Sequence, residues 1–419
     1  AFAAVDRHFE GDRRPYVYTT SDYGKTWRSI TANLPSDQFV HVVRQDPVNG
    51  NVLYAGLEQS IWMSLDAGAS WRSLQLNLPA ASVRDIQIQP DFDDLLVGTH
   101  GRSLWILDDL AALQGLTSAQ AASTPTFFRA RTAYLFSQSA FQTPNGGPSS
   151  FDGADPDYGA LLTYYQSSVS SPAPSLQIVG PGDHVVRSIA GTHDQDGKHV
   201  PNLPNVVGVN RVAWDLTSDA PVRWNSAPKW NRGPGSGPEV VPGTYTAHLT
   251  IGGREYTQTI DVKADPRGSW SERDYNARRG YLSTLYGDFS GVDSDLNSLD
   301  ALQTQLADRR KAAGGNRALA AKIDAVQTAL VNLRREFTSN PQGDQDDDFL
   351  PDMLRERQQS LMGSMSGSFQ PPTSALILEG ATLHSLFVAS DGTYHSFVSN
   401  DVASLNAALA AAKLAAIKP

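Results

Sequence analysis

The 419-residue sequence contains no cysteine. Disulfides, thiolate metal sites and cysteine nucleophiles are therefore excluded. A long chain without cysteine also suits a bacterial protein exported from the cytoplasm, so an extracytoplasmic location, periplasmic or secreted, is expected. No run of 18 apolar residues occurs, and no membrane span is expected. Positive charge is the scarcer sign, with 34 Lys and Arg against 44 Asp and Glu and a net charge of −10. Phosphate binding needs a basic stripe, and none is visible, so nucleic acid is not expected as a partner. Gly-x-Ser-x-Gly, a phosphate loop and His-Glu-x-x-His are all missing as well. The first residues, Ala1-Phe2-Ala3-Ala4-Val5, carry neither a starting Met nor a signal peptide. Together with the repeats described next, this leads us to expect that the chain continues upstream.

What the sequence does contain is a repeat. Thr20-Ser21-Asp22-Tyr23-Gly24-Lys25-Thr26-Trp27 returns as Ser64-Leu65-Asp66-Ala67-Gly68-Ala69-Ser70-Trp71, and Asp22 and Asp66 stand 44 residues apart. A third copy lacks the box but keeps Leu96-Val97-Gly98 before Leu104-Trp105-Ile106, matching Leu53-Tyr54-Ala55-Gly56 before Ile61-Trp62-Met63. A period of about 40–45 residues with four strands per repeat is that of propeller blades. Each element of the box has a mechanical use. Asp22 and Asp66 can accept hydrogen bonds from backbone N–H groups further along a tight turn. Gly24 and Gly68 suit positive φ, and Trp27 and Trp71 can bury a ring between blades. Strands at 41–46, 52–57, 60–65 and 70–74 make one complete blade. Strands at 1–7, 16–20 and 26–31 lack an innermost partner, and those at 83–89, 95–99 and 103–107 lack an outermost one. Known propellers have at least four blades, so upstream blades of the same protein are expected as a partner.

The pattern [ST]-x-D-x-G-x-[ST]-W resembles the Asp box, or BNR repeat, of sialidases, sortilin-type receptors and xyloglucan-degrading propeller enzymes. That resemblance implies a structural role for Asp22, Gly24, Trp27, Asp66, Gly68 and Trp71. The run from Gly98 to Asp109 is similar to the closing-blade signature of large bacterial BNR-repeat proteins of the sortilin-like or glycosyl hydrolase-like type. Within it, His100 and Arg102 either face a ligand or bond the neighbouring blade, and Asp108 and Asp109 are the carboxylates closest to the signature.

From residue 125 onward, short alternating runs are separated by Gly, Pro, Asn and Ser, which is the spacing of a β-sandwich. Strands are expected at 133–136, 160–165, 175–179, 185–189, 211–215, 243–251 and 255–262, with Tyr245, Ala247, Leu249 and Ile251 on one face. Gly252-Gly253 forms a hairpin turn. Tyr158-Gly159-Ala160, Gly208-Val209-Asn210-Arg211-Val212-Ala213-Trp214-Asp215 and Pro242-Gly243-Thr244-Tyr245 resemble the immunoglobulin-like modules that follow propellers in the same family. His193-Asp194-Gln195-Asp196-Gly197-Lys198-His199 lacks the later Glu of a calcium loop and reads as a solvated turn. The stretch 218–241 carries Trp224 and Trp230, which either stack on sugar rings or pack onto the sandwich.

Beyond residue 266 the pattern turns helical. Val292, Leu296, Leu299, Leu302 and Leu306 make one apolar stripe, and Leu319, Ile323, Val326, Leu330 and Leu333 make another. Ala312-Ala313-Gly314-Gly315-Asn316 between them predicts an antiparallel helical hairpin. Asp344-Gln345-Asp346-Asp347-Asp348 reads as a solvated acidic loop. Helices are expected at 353–362, 373–388 and 401–416, the last capped by Asn400 or Asp401.

The expected architecture is thus multidomain, mainly β then α. Terminal propeller blades occupy 1–116, an immunoglobulin/fibronectin-like sandwich 126–265 and a helical domain 270–419, with a Ser/Ala/Thr/Pro linker near 117–125. No cofactor and no metal site is expected. The function implied by the resemblance is an exported glycosyl hydrolase-like protein with its active site mainly in further blades, acting on or binding polysaccharide. The alternative is a non-catalytic sortilin-like propeller that binds protein or peptide.

Overall fold

The computed structural model describes residues 1–122, 124–137, 155, 157–190, 192–193, 199–200, 203–228, 231–339 and 352–419. It is a mixed β and α structure in which several antiparallel sheets are followed by a C-terminal helical region. Two compact units emerge. One gathers Ala1–Leu135, Phe151–Leu216 and Gly243–Lys263, and the other is built mainly from Thr217–Pro242 and Ala264–Pro419. Trp230, residues 194–198 of the expected solvated turn, and the acidic run 344–348 lie outside the described residues.

The first unit begins with three antiparallel sheets at the repeat spacing. The first holds β1 (Phe2–Ala4), β2 (Val17–Thr19) and β3 (Arg28–Ser29). The second holds β4 (Val40–Gln45), β5 (Leu53–Leu57), β6 (Ile61–Ser64) and β7 (Arg72–Ser73). The third holds β8 (Ser82–Gln89), β9 (Asp94–His100) and β10 (Leu104–Leu107). Every residue of β5 is buried. Successive side chains of a strand point to opposite faces, and here both faces are covered. Leu53, Ala55 and Leu57 share a core with Val17, Ile30 and Leu34 of the first repeat. Tyr54 shares one with Val83, Ile86, Leu95 and Val97 of the third.

The two Asp boxes fold identically. Asp22 Oδ1 accepts from the Thr26 N–H at 2.9 Å and the Thr20 hydroxyl at 2.8 Å, and its Oδ2 accepts from the Thr26 hydroxyl at 2.6 Å. Asp66 repeats this with Ser70 and Ser64 at 2.8, 2.8 and 2.6 Å. The following glycines have φ of 83° and 85°. A Cβ on Gly68 would lie 2.8 Å from Ile30, so that turn needs glycine twice over, for its backbone and for the space. The tryptophans diverge. Trp71 is 2% exposed and donates from Nε1 to the Ile30 carbonyl at 2.7 Å, while Asn33 bonds its backbone on both sides. Trp27 is 47% exposed. The expected burial between sheets therefore holds for Trp71 and not for Trp27, which no described sheet covers.

Residues 117–122 were expected to be linker. They instead complete α1 (Ala111–Ala122), since Ala, Ser and Gln permit a helix when something packs on it. Leu110 and Leu116 enter the core between the second and third sheets, and the Thr117 hydroxyl donates to the Leu65 carbonyl. The rest of the first unit comprises β11 (Thr126–Phe127), β12 (Ala133–Leu135), β13 (Ala160–Gln166), β14 (Ser175–Val179), β15 (Val185–Ile189), β16 (Thr192–His193), β17 (His199–Val200), β18 (Gly208–Trp214), β19 (Gly243–Ile251) and β20 (Arg254–Ala264). They form sheets in the orders β11-β13-β18 and β12-β20-β19-β14-β15, plus a β16-β17 ribbon. Tyr245, Ala247, Leu249 and Ile251 are buried on one face of β19, as their alternation predicts. Trp214 meets Tyr245 edge-on at 5.2 Å, joining the two larger sheets. Gly159, at φ 114°, lies so close to the Trp214 carbonyl that a Cβ would sit 2.0 Å from it.

In the second unit, α2 (Glu272–Ala312) starts at a capping box made by Ser271 and Asp274. After a short turn, α3 (Arg317–Phe337) is capped by Asn316. Both leucine-rich stripes are buried in one core. Then come α4 (Leu354–Ser364), α5 (Ser374–Phe397), a π-helical turn (Val398–Val402) and α6 (Ala403–Ala411). The expected break before 401 is absent. Val398 keeps helical angles of −63° and −48°, and Phe397, Val402, Leu405 and Leu409 enter the same core, so Asn400 and Asp401 sit inside a continuous helix and do not cap one. The 217–242 stretch, expected within the sandwich, packs with the helices. Trp224 is 2% exposed, its N–H donating to Asp293 at 2.9 Å and its indole N–H to Asp300 at 2.7 Å. It is core and unavailable for sugar stacking.

Trp71→Ala should cost about 3–5 kcal/mol, the usual range for a buried tryptophan, whereas Trp27→Ala and Asp66→Asn should each cost about 1 kcal/mol. Urea-unfolding midpoints of the three variants decide this. Equal shifts for Trp71→Ala and Trp27→Ala would show that the second box does not anchor the stack.

Candidate functional site

Antiparallel pairing gives each repeated sheet two distinct ends. Both Asp-box turns lie at one end, between β2 and β3 and between β6 and β7. At the other end stand the 5–16 segment, the start of β4, the β5–β6 turn, the start of β8 and the β9–β10 turn. The register fixes this, pairing Ala4 with Val17, Val40 with Leu57, Gly56 with Ile61, Ser82 with His100, and Gly98 with Leu104.

A polar cluster occupies that second end. Glu58 Oε2 lies 2.7 Å from His41 Nε2 and accepts from the Ser82 hydroxyl at 2.8 Å. Ser82 Oγ is also 3.1 Å from His41 Nε2, and Arg84 approaches Glu58 at 3.8 Å. The positions of His41 and Arg84 have a common cause. The ladder slips between Val40 and Val42 in the second sheet and between Val83 and Asp85 in the third. His41 and Arg84 are the extra residues of these equivalent bulges, and a bulge re-aims a side chain out of the pleat. Both are turned onto one carboxylate. Burial alone would raise the Glu58 pKa, but hydrogen bonds from His41 and Ser82 and the charges of His41 and Arg84 outweigh it and hold it below its ordinary value. Asp6 is similar. Burial opposes ionisation, while the His8 backbone and ring, and the charges of His8 and His41, bring its pKa below normal. His8 stacks on Phe39 at 4.6 Å and Phe39 meets His41 at 4.8 Å. Phe9 beside them is 94% exposed.

This geometry suits binding better than nucleophilic catalysis. A serine nucleophile needs the histidine nitrogen as proton acceptor, with the acid on the other ring nitrogen. Here Ser82 and His41 Nε2 both meet the same Glu58 oxygen. Glycoside hydrolysis needs one carboxyl kept protonated beside one ionised, whereas Asp6 and Glu58 are both held ionised. Among the described residues no group of three or more His, Asp or Glu is placed to hold a metal ion.

The four residues singled out from the closing signature are split. His100 and Arg102 stand exposed at the cluster's end of the sheet, and the Arg102 carbonyl accepts from the Trp105 indole at 2.8 Å. Asp108 and Asp109 lie at the other end of four-residue β10, about 13 Å further along at a rise of about 3.3 Å per residue. Their backbone carbonyls accept from Arg211, both at 3.1 Å, and Asp109 Oδ1 takes the Ala111 N–H at the start of α1. Burial raises both carboxyl pKa values. The charge of Asp94 adds to this at Asp108, and the Ala111 N–H and nearby arginines counter it at Asp109. His41, Glu58 and Ser82 were not singled out from the sequence. One signal existed, since Glu58 follows Gly56 by two residues as His100 follows Gly98.

Because the Glu58 pKa is lowered, its stabilising effect is present above its ordinary value of 4.5 and is lost as pH falls. Glu58→Gln should therefore lower the denaturant midpoint at about pH 7 and leave it nearly unchanged at about pH 3. An equal shift at both values would mean that the cluster does not hold the carboxylate.

Among the described residues, no helix is long and apolar enough to cross a membrane. No family model matches the chain and no curated protein does. Among solved structures it is similar to the extracellular domain of a one-component system from B. thetaiotaomicron, at 10% identity and a TM-score of 0.19. That similarity covers 59% of this chain and 28% of the other, so the chain spans under a third of that protein's length.

Proposed function

We propose that this chain is the closing part of an extracytoplasmic Asp-box β-propeller of the sortilin-like or glycosyl hydrolase-like type, and that its blades bind carbohydrate at the end opposite the boxes. The three repeated sheets are then blades, and β11–β20 include the immunoglobulin-like module that follows them. The observation that carries the binding site is the pair of ionised carboxylates, Asp6 and Glu58, set around His41 beside the exposed ring of Phe9 and the half-buried ring of His8. Carboxylates accept hydrogen bonds from sugar hydroxyls, and aromatic faces supply flat apolar contact. The absence of a raised acid in this pair supports binding by the chain itself, with any hydrolytic residues contributed by other blades.

Partner blades are part of the reading. The middle sheet is covered on both faces, but the third sheet leaves Leu96, Leu104 and Ile106 at 37%, 79% and 62% exposure on its outer face. Apolar patches of this kind mark interaction surfaces, and the occupant that fits is another blade of the same protein.

Calorimetric titration with a panel of plant and bacterial oligosaccharides tests the site. Glu58→Gln should weaken any binding by about tenfold, a loss of about 1.4 kcal/mol, while Asp108→Asn should leave it unchanged. Turnover of a glycoside by this chain alone, abolished by Glu58→Gln, would overturn the binding-only reading. Ile106→Asp should leave the chain's own unfolding midpoint in place and prevent its association with the upstream blades in sedimentation.

A further inference from the structure

In the helical unit, α2 and α5 meet along a seam of unusual composition. Tyr281 of α2 packs against Gly380 and donates to the Leu376 carbonyl at 2.7 Å. One layer on, Asp288 faces His384 at 2.9 Å. Next, Gly291 is pressed so closely by Phe387 that a Cβ would fall 2.3 Å from the ring. Seven residues after Asp288, Asp295 occupies the equivalent position, and the residue facing it seven after His384 is Asp391. The first layer joins acid to base, and the second sets acid against acid. Asp295 is 7% exposed, and its Oδ2 has no hydrogen-bond partner among the described residues.

We propose that this α2–α5 seam is a pH-sensitive contact, closed in mildly acidic solution and loosened as pH rises past neutrality. A buried carboxylate without a partner is costly when charged and tolerated when protonated. Burial, and then the charge of Asp391, push the Asp295 pKa up to about 7. A raised carboxyl contributes its stability fully below the ordinary value of 3.8 and loses it as pH climbs through about 7. Among the described residues no cation is seen to lower the Asp295 pKa. Tyr394 and Asp391 face Asp295 from α5, and among the described residues Asp391 is paired with His395, at 3.5 Å. Of the arginines on the neighbouring helices, Arg334 of α3 is paired with Asp300, Arg355 of α4 with Asp293 and Arg357 of α4 with Glu379. Glu336, Asp352 and Arg357 line a cavity with Ser390 and Thr393 of α5. Helix α5 is suited to respond, because among its described residues only Leu383, Tyr394 and Phe397 are buried.

Hydrogen–deuterium exchange of the α5 amides, corrected for intrinsic rates, reads the contact directly. Between about pH 5.5 and about pH 8.5 their protection should fall by about tenfold or more, the tenfold per unit that linkage sets. Asp295→Asn should flatten that dependence, as should the more exposed Asp391→Asn to a smaller degree. Protection that stays constant or rises with pH in the wild-type protein would overturn the proposal. So would a wild-type pH dependence retained by the Asp391→Asn protein together with Asp295→Asn, or by Asp391→Asn alone should the other variant not fold.

Discussion

The strand Leu53–Leu57 exposes no side chain, and covering it on both faces organises the repeated sheets. A strand of an antiparallel sheet commonly keeps one face in water. This one alternates Leu53, Ala55 and Leu57 toward one neighbour with Tyr54 toward the other, so it is stable only inside a stack. Gly56 fits the same constraint, since a Cβ there would lie 2.6 Å from Val83 and 2.8 Å from Val42. The sheets can approach this closely only if their edges are pinned. Trp71 does so from the far end of the second repeat by reaching the Ile30 carbonyl of the first. The bulges at His41 and Arg84 then relieve the ladder at the near end and turn two basic side chains onto Glu58.

The helical unit depends on a different device. Arg355 and Asp293 are both fully buried, and Arg355 Nε and Nη2 donate to the two carboxylate oxygens at 2.6 and 3.1 Å. A buried ion pair repays its desolvation only when the remaining donors and acceptors are also satisfied. Here they are. Arg355 Nη1 donates to the Asn231 carbonyl at 2.7 Å, the Trp224 N–H donates to Asp293, and the guanidinium lies 4.9 Å from the Phe289 ring and 5.7 Å from that of Trp224. This is why a Pro- and Gly-rich stretch without regular structure is held in place, and why Trp224 is core. Removing either charge would strand the other without solvent.

Much of the secondary structure was legible because its signals are local. The box motif, the alternation of Tyr245 to Ile251 and the leucine stripes of α2 and α3 each need only one element to show. Readings failed where a distant contact decides the outcome. Residues 117–122 have a linker's composition, and only the packing of α1 on the repeated sheets makes them helix. Asn400 and Asp401 are good caps, yet Phe397 and Val402 both seek the same core and keep the chain helical between them. The candidate site was hidden for the same reason. His41, Glu58 and Ser82 are 17 and 24 residues apart in sequence, and two bulges that no residue pattern announces bring them together.

The carboxylates at the two ends of the repeated sheets differ in how they are satisfied. Asp22 and Asp66 take every described bond from residues within four positions of themselves. The Asp22 pKa is held at about 2 chiefly by the Thr26 hydroxyl and amide. Such a group is complete as soon as its own turn forms, and a ligand has nothing left to offer it. Glu58 is satisfied across two sheets, by side chains that lie outside its own turn, and its side chain remains 28% exposed. A ligand hydroxyl arriving there can replace the Ser82 hydroxyl or join it without unfolding a turn. Cross-sheet satisfaction with residual exposure is what a binding carboxylate requires. Asp85 of the third sheet is likewise bonded across sheets, by Arg44 at 2.9 Å, and is 54% exposed, but it also takes the Ile86 N–H and the Gln87 side chain beside it, whereas the bonds from His41 and Ser82 reach Glu58 from outside its own turn.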